Sequence, residues 1–95
     1  IDAIMPPWGG ELAMEILPLL DYEHLKSVKP KWIMGFSDVS TVLTTLTTKL
    51  NWSTVHATNL MQLHPNETEQ LTATSLSYLS LNQGDSFEQV SSQLY

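Results

Sequence analysis

Lys31-Trp32-Ile33-Met34-Gly35-Phe36-Ser37-Asp38-Val39-Ser40 is the stretch whose reading decides the fold. Trp32, Ile33 and Met34 form a continuous apolar run, as a strand covered on both faces requires. A small-residue turn follows, with Ser37 at its tip. From Val39 the period changes. Val39, Val42, Leu43, Leu46 and Leu50 recur at the spacing of one helix face. The opposite face is nearly all threonine (Thr41, Thr44, Thr45, Thr47, Thr48), a weak helix former, so packing must hold this helix. Strand, turn, serine and helix is the order in which an α/β protein presents a nucleophilic serine. It is equally the order in which an ordinary serine caps a helix.

Upstream, Ile1 to Met5 reads as a short buried strand that Pro6-Pro7 ends, because proline cannot donate to a ladder. Trp8-Gly9-Gly10 makes a tight turn. Glu11 to Leu17 has helical spacing, with Leu12, Ile16 and Leu17 on one stripe and Glu11 and Glu15 opposite. Pro18 breaks or kinks it. Asp21 is an N-cap for a short helix through Tyr22, Leu25 and Val28. Downstream, Asn51-Trp52 is a turn, and Ser53 to Thr58 reads as a third strand. Asn59 to Pro65 is a loop. Asn66-Glu67-Thr68-Glu69 has the spacing of a capped helix start. Leu71, Tyr78 and Leu79 give that helix a weak apolar face, and Asn82-Gln83-Gly84-Asp85 stops it. The order β-α-β-α-β-α predicts an α/β fold of three layers around a parallel sheet with right-handed crossovers. Residues 1–85 form the α/β unit, and 86–95 a tail or the start of a linker.

Composition narrows the function. The chain has 95 residues, enough for one small domain, with 42% hydrophobic residues and no cysteine. Disulfides and thiolate metal sites are therefore excluded. Four basic residues against ten acidic ones give a net charge of −6. Nucleic acid and anionic membrane surfaces call for the opposite sign, so neither is an expected partner. No apolar run approaches the roughly 18 residues that span a bilayer. No initiator methionine opens the chain and no terminator closes it, so a fragment with sequence missing on both sides is the expectation. The triplets Asn51-Trp52-Ser53 and Asn66-Glu67-Thr68 match a glycosylation pattern by chance.

In an open parallel sheet, ligands bind beyond the carboxyl ends of the strands. Three turns fall there: Trp8-Gly9-Gly10, Gly35-Phe36-Ser37-Asp38 and Thr58-Asn59. A serine on such a bend projects clear of the backbone, and Gly35 two positions back leaves it room. Val39 stands where the usual hydrolase elbow has a second glycine. The backbone N–H of Asp38 could meet a developing oxyanion, and one from Gly9 or Gly10 could complete the hole. In the plainer reading, Ser37 is a cap, Asp38 a favourable first-turn charge and Gly9-Gly10 only a turn. A nucleophilic serine also needs a base and an orienting acid. His24 faces solvent on its short helix, and His64 lies in a loop without an obvious partner. Only His56, near the carboxyl end of the third strand, could approach the site, and a packed, hydrogen-bonded histidine is its alternative. No histidine pair has zinc spacing with a third ligand. Glu11 and Glu15 read as a solvated helix face.

Taken together, Gly9-Gly10, Leu17-Pro18-Leu19-Leu20-Asp21-Tyr22, Lys29-Pro30-Lys31, Gly35-Phe36-Ser37-Asp38 and Thr54-Val55-His56-Ala57 resemble the LD-carboxypeptidase family of serine peptidases, over roughly residues 1–65. That family includes murein tetrapeptide carboxypeptidases and microcin C self-immunity peptidases. Ala57-Thr58-Asn59 departs from the more usual Gly-Pro after the histidine, and Glu11 after the glycine pair is also less usual. The resemblance implies that Ser37 is the nucleophile. It implies that the N–H of Asp38, with one from Gly10 or alternatively Gly9, forms the oxyanion hole. The base and acid would be a histidine and a glutamate of a following C-terminal domain, so the fragment alone would be inactive. It further implies a flavodoxin-like half of a larger N-terminal domain, without metal or cofactor, in a cytoplasmic bacterial enzyme. The substrate would be a murein peptide or a peptidyl-nucleotide, with His56 and Asn59 on the substrate side. A non-catalytic α/β binding module is the competing class. Apolar surface left bare by missing parts would favour a homodimer.

Overall fold

The computed structural model describes residues 1–64, 66 and 69–90. Three parallel strands form one sheet in the order β1 (Ala3–Ile4), β2 (Trp32–Gly35), β3 (Val55–His56). The α/β class with a parallel sheet is thus observed. Register pairs Ala3 with Trp32 and Ile4 with Ile33 on one side of β2, and Met34 with Val55 and Gly35 with His56 on the other. The helices are α1 (Ala13–Ile16), α2 (Tyr22–Ser27), α3 (Ser40–Leu50) and α4 (Gln70–Thr74). Tighter 3-10 turns lie at Leu17–Leu19, Ser37–Val39, Leu60–Gln62 and Ser75–Ser80.

The longest helix follows its sequence pattern. Leu43 and Leu46 of α3 are buried with Met34 of β2 and Trp52, and these four make the apolar core. Part of the threonine face bonds back onto its own helix, while Thr47 Oγ1 bonds Thr54 Oγ1 beyond it. Thr45 Oγ1 donates to Thr41 O and Thr48 Oγ1 to Thr44 O, which satisfies these two hydroxyls without a partner element. At the far end Asn51 adopts φ +56°, its N–H bonds Thr47 O, and the Trp52 N–H reaches Leu46 O. That is a left-handed helix stop. α2 begins as its sequence predicts, with the Asp21 carboxylate accepting from the His24 N–H at 2.9 Å. The Lys49 ammonium lies 4.6 Å over the Tyr22 ring and ties α2 to α3.

Several elements are shorter than their sequence pattern. The helix expected from Glu11 begins only at Ala13 and passes at Leu17 into a 3-10 turn that accommodates Pro18. The strand expected over residues 53–58 is regular only at Val55–His56, because the chain then turns to carry Asn59 into the protein. The last helix starts from Glu69, whose carboxylate accepts from the Thr72 N–H. The capping pattern expected across residues 66–69 falls partly on Glu67 and Thr68, outside the described residues, as do residues 91–95 of the expected tail. Phe87 stacks on Tyr78 with ring centroids 4.5 Å apart. Among the described residues no helix is long and apolar enough to cross a membrane.

Candidate active site

The three turns that leave the carboxyl ends of the strands are tied to one another. The Leu60 N–H donates to Pro6 O at 3.0 Å and the Met61 N–H to Pro7 O at 2.9 Å, so the third turn is clamped onto the first. The Ala57 N–H donates to Gly35 O at 3.1 Å. The Phe36 N–H donates to the side-chain oxygen of Asn59 at 3.1 Å. Asn59 is fully buried, with 0% of its surface exposed. Its own N–H is taken by Gln62 Oε1, which fixes the start of the 3-10 turn at Leu60–Gln62.

Ser37 sits where the second turn bends. Phe36 is extended, at φ −148° and ψ −175°, and Ser37 then takes φ +64°. Among the described residues only Ser37 and Asn51 are non-glycine residues with positive φ. Asparagine accepts this region readily; serine does so at a cost of order 1–3 kcal/mol. A serine acting as helix N-cap instead has an extended backbone and offers its oxygen to a nearby N–H. The 3-10 turn here has no side-chain cap, and the Ser37 side chain is exposed.

The first turn presses against this serine. A Cβ at Gly9 would lie 2.9 Å from Ser37 Cβ and 3.2 Å from its Oγ, so only glycine fits. Gly10 takes φ +123°, which disfavours any side chain, and a Cβ there would lie 3.5 Å from Asp38 Oδ2. Asp38 Oδ2 accepts from the Ala13 N–H at 2.7 Å. It therefore caps α1, which has no cap of its own. This long-range cap explains why α1 begins at Ala13.

The histidines lie on three different parts of the chain. His56 Nε2 bonds Ser40 Oγ at 2.8 Å. His24 lies on α2, and His64 Nδ1 accepts from the Asn66 N–H. Among the described residues no group of three His, Asp or Glu side chains could hold a metal ion. Beside Gly9, Gly10 and Asp38 runs an apolar groove of about 730 Å³, walled by Ile4, Leu12, Ile16, Ile33, Val39 and Val42. A second hollow, of about 460 Å³, lies between Phe36 and His56 on one side and Glu69 and Thr72 on the other. The sequence pattern points to Ser37, Asp38, Gly9 and Gly10, and the fold brings these four together. It carries no sign of the Asn59 link to Phe36, the Asp38 cap on Ala13 or the His56–Ser40 bond, each of which joins residues 16 to 25 positions apart.

Comparison with known proteins gives two matches. A family model described as the LD-carboxypeptidase N-terminal domain matches residues 1–57. A protein of Vibrio cholerae serotype O1, named by inference as a carboxypeptidase, is 44% identical over 43 residues. That alignment spans 45% of this chain and 13% of the relative's length. No solved structure matches the chain significantly.

Proposed function

The chain belongs to the LD-carboxypeptidase family, and from that membership we propose that Ser37 is the nucleophile of an amide-hydrolysing serine peptidase. The observation that carries this reading is the left-handed backbone of an exposed serine with glycine packed against its side chain. Local strain of this kind is retained where the surrounding structure holds it for a purpose. It presents the hydroxyl beyond the sheet edge, as a nucleophile elbow does.

The steps follow from the groups present. Ser37 Oγ attacks the carbonyl carbon of the scissile amide while a base takes its proton. The carbonyl oxygen becomes an oxyanion, which accepts from the Asp38 N–H and from an N–H of the Gly9-Gly10 turn. Each such donor is worth about 10²–10³ in rate. Collapse of the adduct expels the amine, which receives the proton, and leaves an acyl-serine that water then hydrolyses. The resemblance to the family assigns the base and the acid that orients it to a C-terminal domain, and His56 Nε2 here bonds Ser40 Oγ. The 95 residues alone are then expected to be inactive.

The substrate class proposed is a peptide amide beside a free carboxylate, the L,D-bond of murein peptides. An aminoacyl- or peptidyl-nucleotide amide is the second candidate within the same chemistry. A fluorophosphonate probe applied to the full protein should label Ser37, and Ser37→Ala should abolish both labelling and amide hydrolysis, by about 10⁴-fold or more. Hydrolysis that survives Ser37→Ala would overturn the assignment. Release of D-alanine from a murein tetrapeptide, compared with cleavage of an aminoacyl-nucleotide, separates the two substrates.

A further inference from the structure

We propose that Asn59 is the positioning residue that holds Ser37 in its strained conformation, by wedging between the ends of β1 and β2; this rests on Ser37 being the nucleophile. The register of the sheet locates the wedge. The Trp32 N–H donates to Asp2 O, and each further rung of a parallel ladder advances two residues on both strands. Continued, that ladder would bring the Phe36 N–H to Pro6 O. It does not do so. The Phe36 N–H goes to Asn59 Oδ1, and Pro6 O receives the Leu60 N–H instead. Asn59 and Leu60 together thus replace one rung, with a side-chain oxygen standing in for Pro6 and a backbone N–H standing in for Phe36.

The replacement acts where Ser37 is set. It holds Phe36 extended immediately before the residue at φ +64°. It also takes the place of the direct rung between Phe36 and Pro6, and the chain that leaves Pro6 returns at Gly9 to touch Ser37. Gly35 completes the fit, since a Cβ there would stand 2.8 Å from Asn59 Oδ1 and 3.2 Å from Pro6 Cγ. The other half of the amide, Nδ2, is buried and has no hydrogen-bond partner among the described residues. An asparagine kept for burial alone would be better replaced by an apolar side chain, which leaves no orphan donor. Its oxygen is the part with a task. Asn59 is fully buried, so it reaches substrate only through Phe36 and Ser37.

The test compares Asn59→Leu, which keeps the volume and removes the acceptor, with Asn59→Asp, which keeps an acceptor oxygen. Fluorophosphonate labelling of Ser37 is followed in the full protein. Asn59→Leu should lower the maximal labelling rate about tenfold or more with the probe's half-saturating concentration little changed, because the hydroxyl is misplaced rather than the probe excluded. Asn59→Asp should stay within about threefold of the wild type. Equal labelling by Asn59→Leu and wild type overturns the proposal. An equal fall in both variants overturns it too, since packing alone would then explain Asn59.

A second readout does not depend on the enzymatic reading. The Phe36 amide should exchange its proton slowly in the wild-type chain, and faster in Asn59→Leu than in Asn59→Asp. Fast exchange at Phe36 in the wild type removes the wedge outright, including where Asn59→Leu fails to fold. If the wild type is not labelled at Ser37 while Phe36 stays protected, the nucleophile assignment fails and the wedge stands.

Discussion

Helix α3 and the turn before it are bounded by two left-handed residues, Ser37 at φ +64° and Asn51 at φ +56°, and the two are held by opposite means. Asn51 is held locally. Its N–H and that of Trp52 close onto the last turn of the same helix, and asparagine tolerates the conformation. Ser37 is held from a distance. Gly9 presses on its side chain, Asn59 takes the N–H of the residue before it, and the carboxylate of the residue after it caps α1. Unusual backbone geometry is therefore not informative by itself. What distinguishes a site from a helix stop is how many separate elements are recruited to maintain it.

The contrast can be broken most forcefully at Gly9. Gly9→Ala forces its methyl against Ser37, and labelling of the serine should fall about 100-fold while the Asn51 end of α3 keeps its hydrogen-exchange protection. An unchanged labelling rate would mean that the first turn yields freely and does not set the serine. Next in size is Asp38→Ala, which uncaps α1. It should cost about 1–2 kcal/mol in denaturant unfolding and speed exchange at the Ala13 amide; Asp38→Asn, which keeps an oxygen, should lose less. The smallest effects sharpen the comparison directly. Ser37→Gly should stabilise the chain by about 1 kcal/mol and Asn51→Gly by a few tenths, because serine is the more strained of the two. Equal gains at both positions would show that Ser37 carries no extra strain.

The sequence reached what is local. The switch from an apolar run to a 3.6-residue period at Val39 located β2 and α3, and Asp21 announced α2. The glycine pair, the serine and the aspartate could be singled out because a sharp turn restricts residue types at close spacing. Glu11 misled, since its helical spacing continues a pattern whose true start is set by Asp38, 25 residues further along. Thr58 and Asn59 looked like polar loop residues, yet both are buried. A buried asparagine is legible only once the partner of its oxygen is known, and no window around position 59 contains Phe36. The same holds for His56, whose bond to Ser40 depends on how β3 lies beside the start of α3.

The tight approach of Gly9 has a stereochemical consequence. It closes one side of the Ser37 side chain. Under the nucleophile assignment proposed above, a planar carbonyl can approach Oγ only from the open side, and so through one of its two faces. The tetrahedral adduct would form with a single handedness at carbon, and a pair of chiral phosphonates differing only at phosphorus should react with Ser37 at unequal rates.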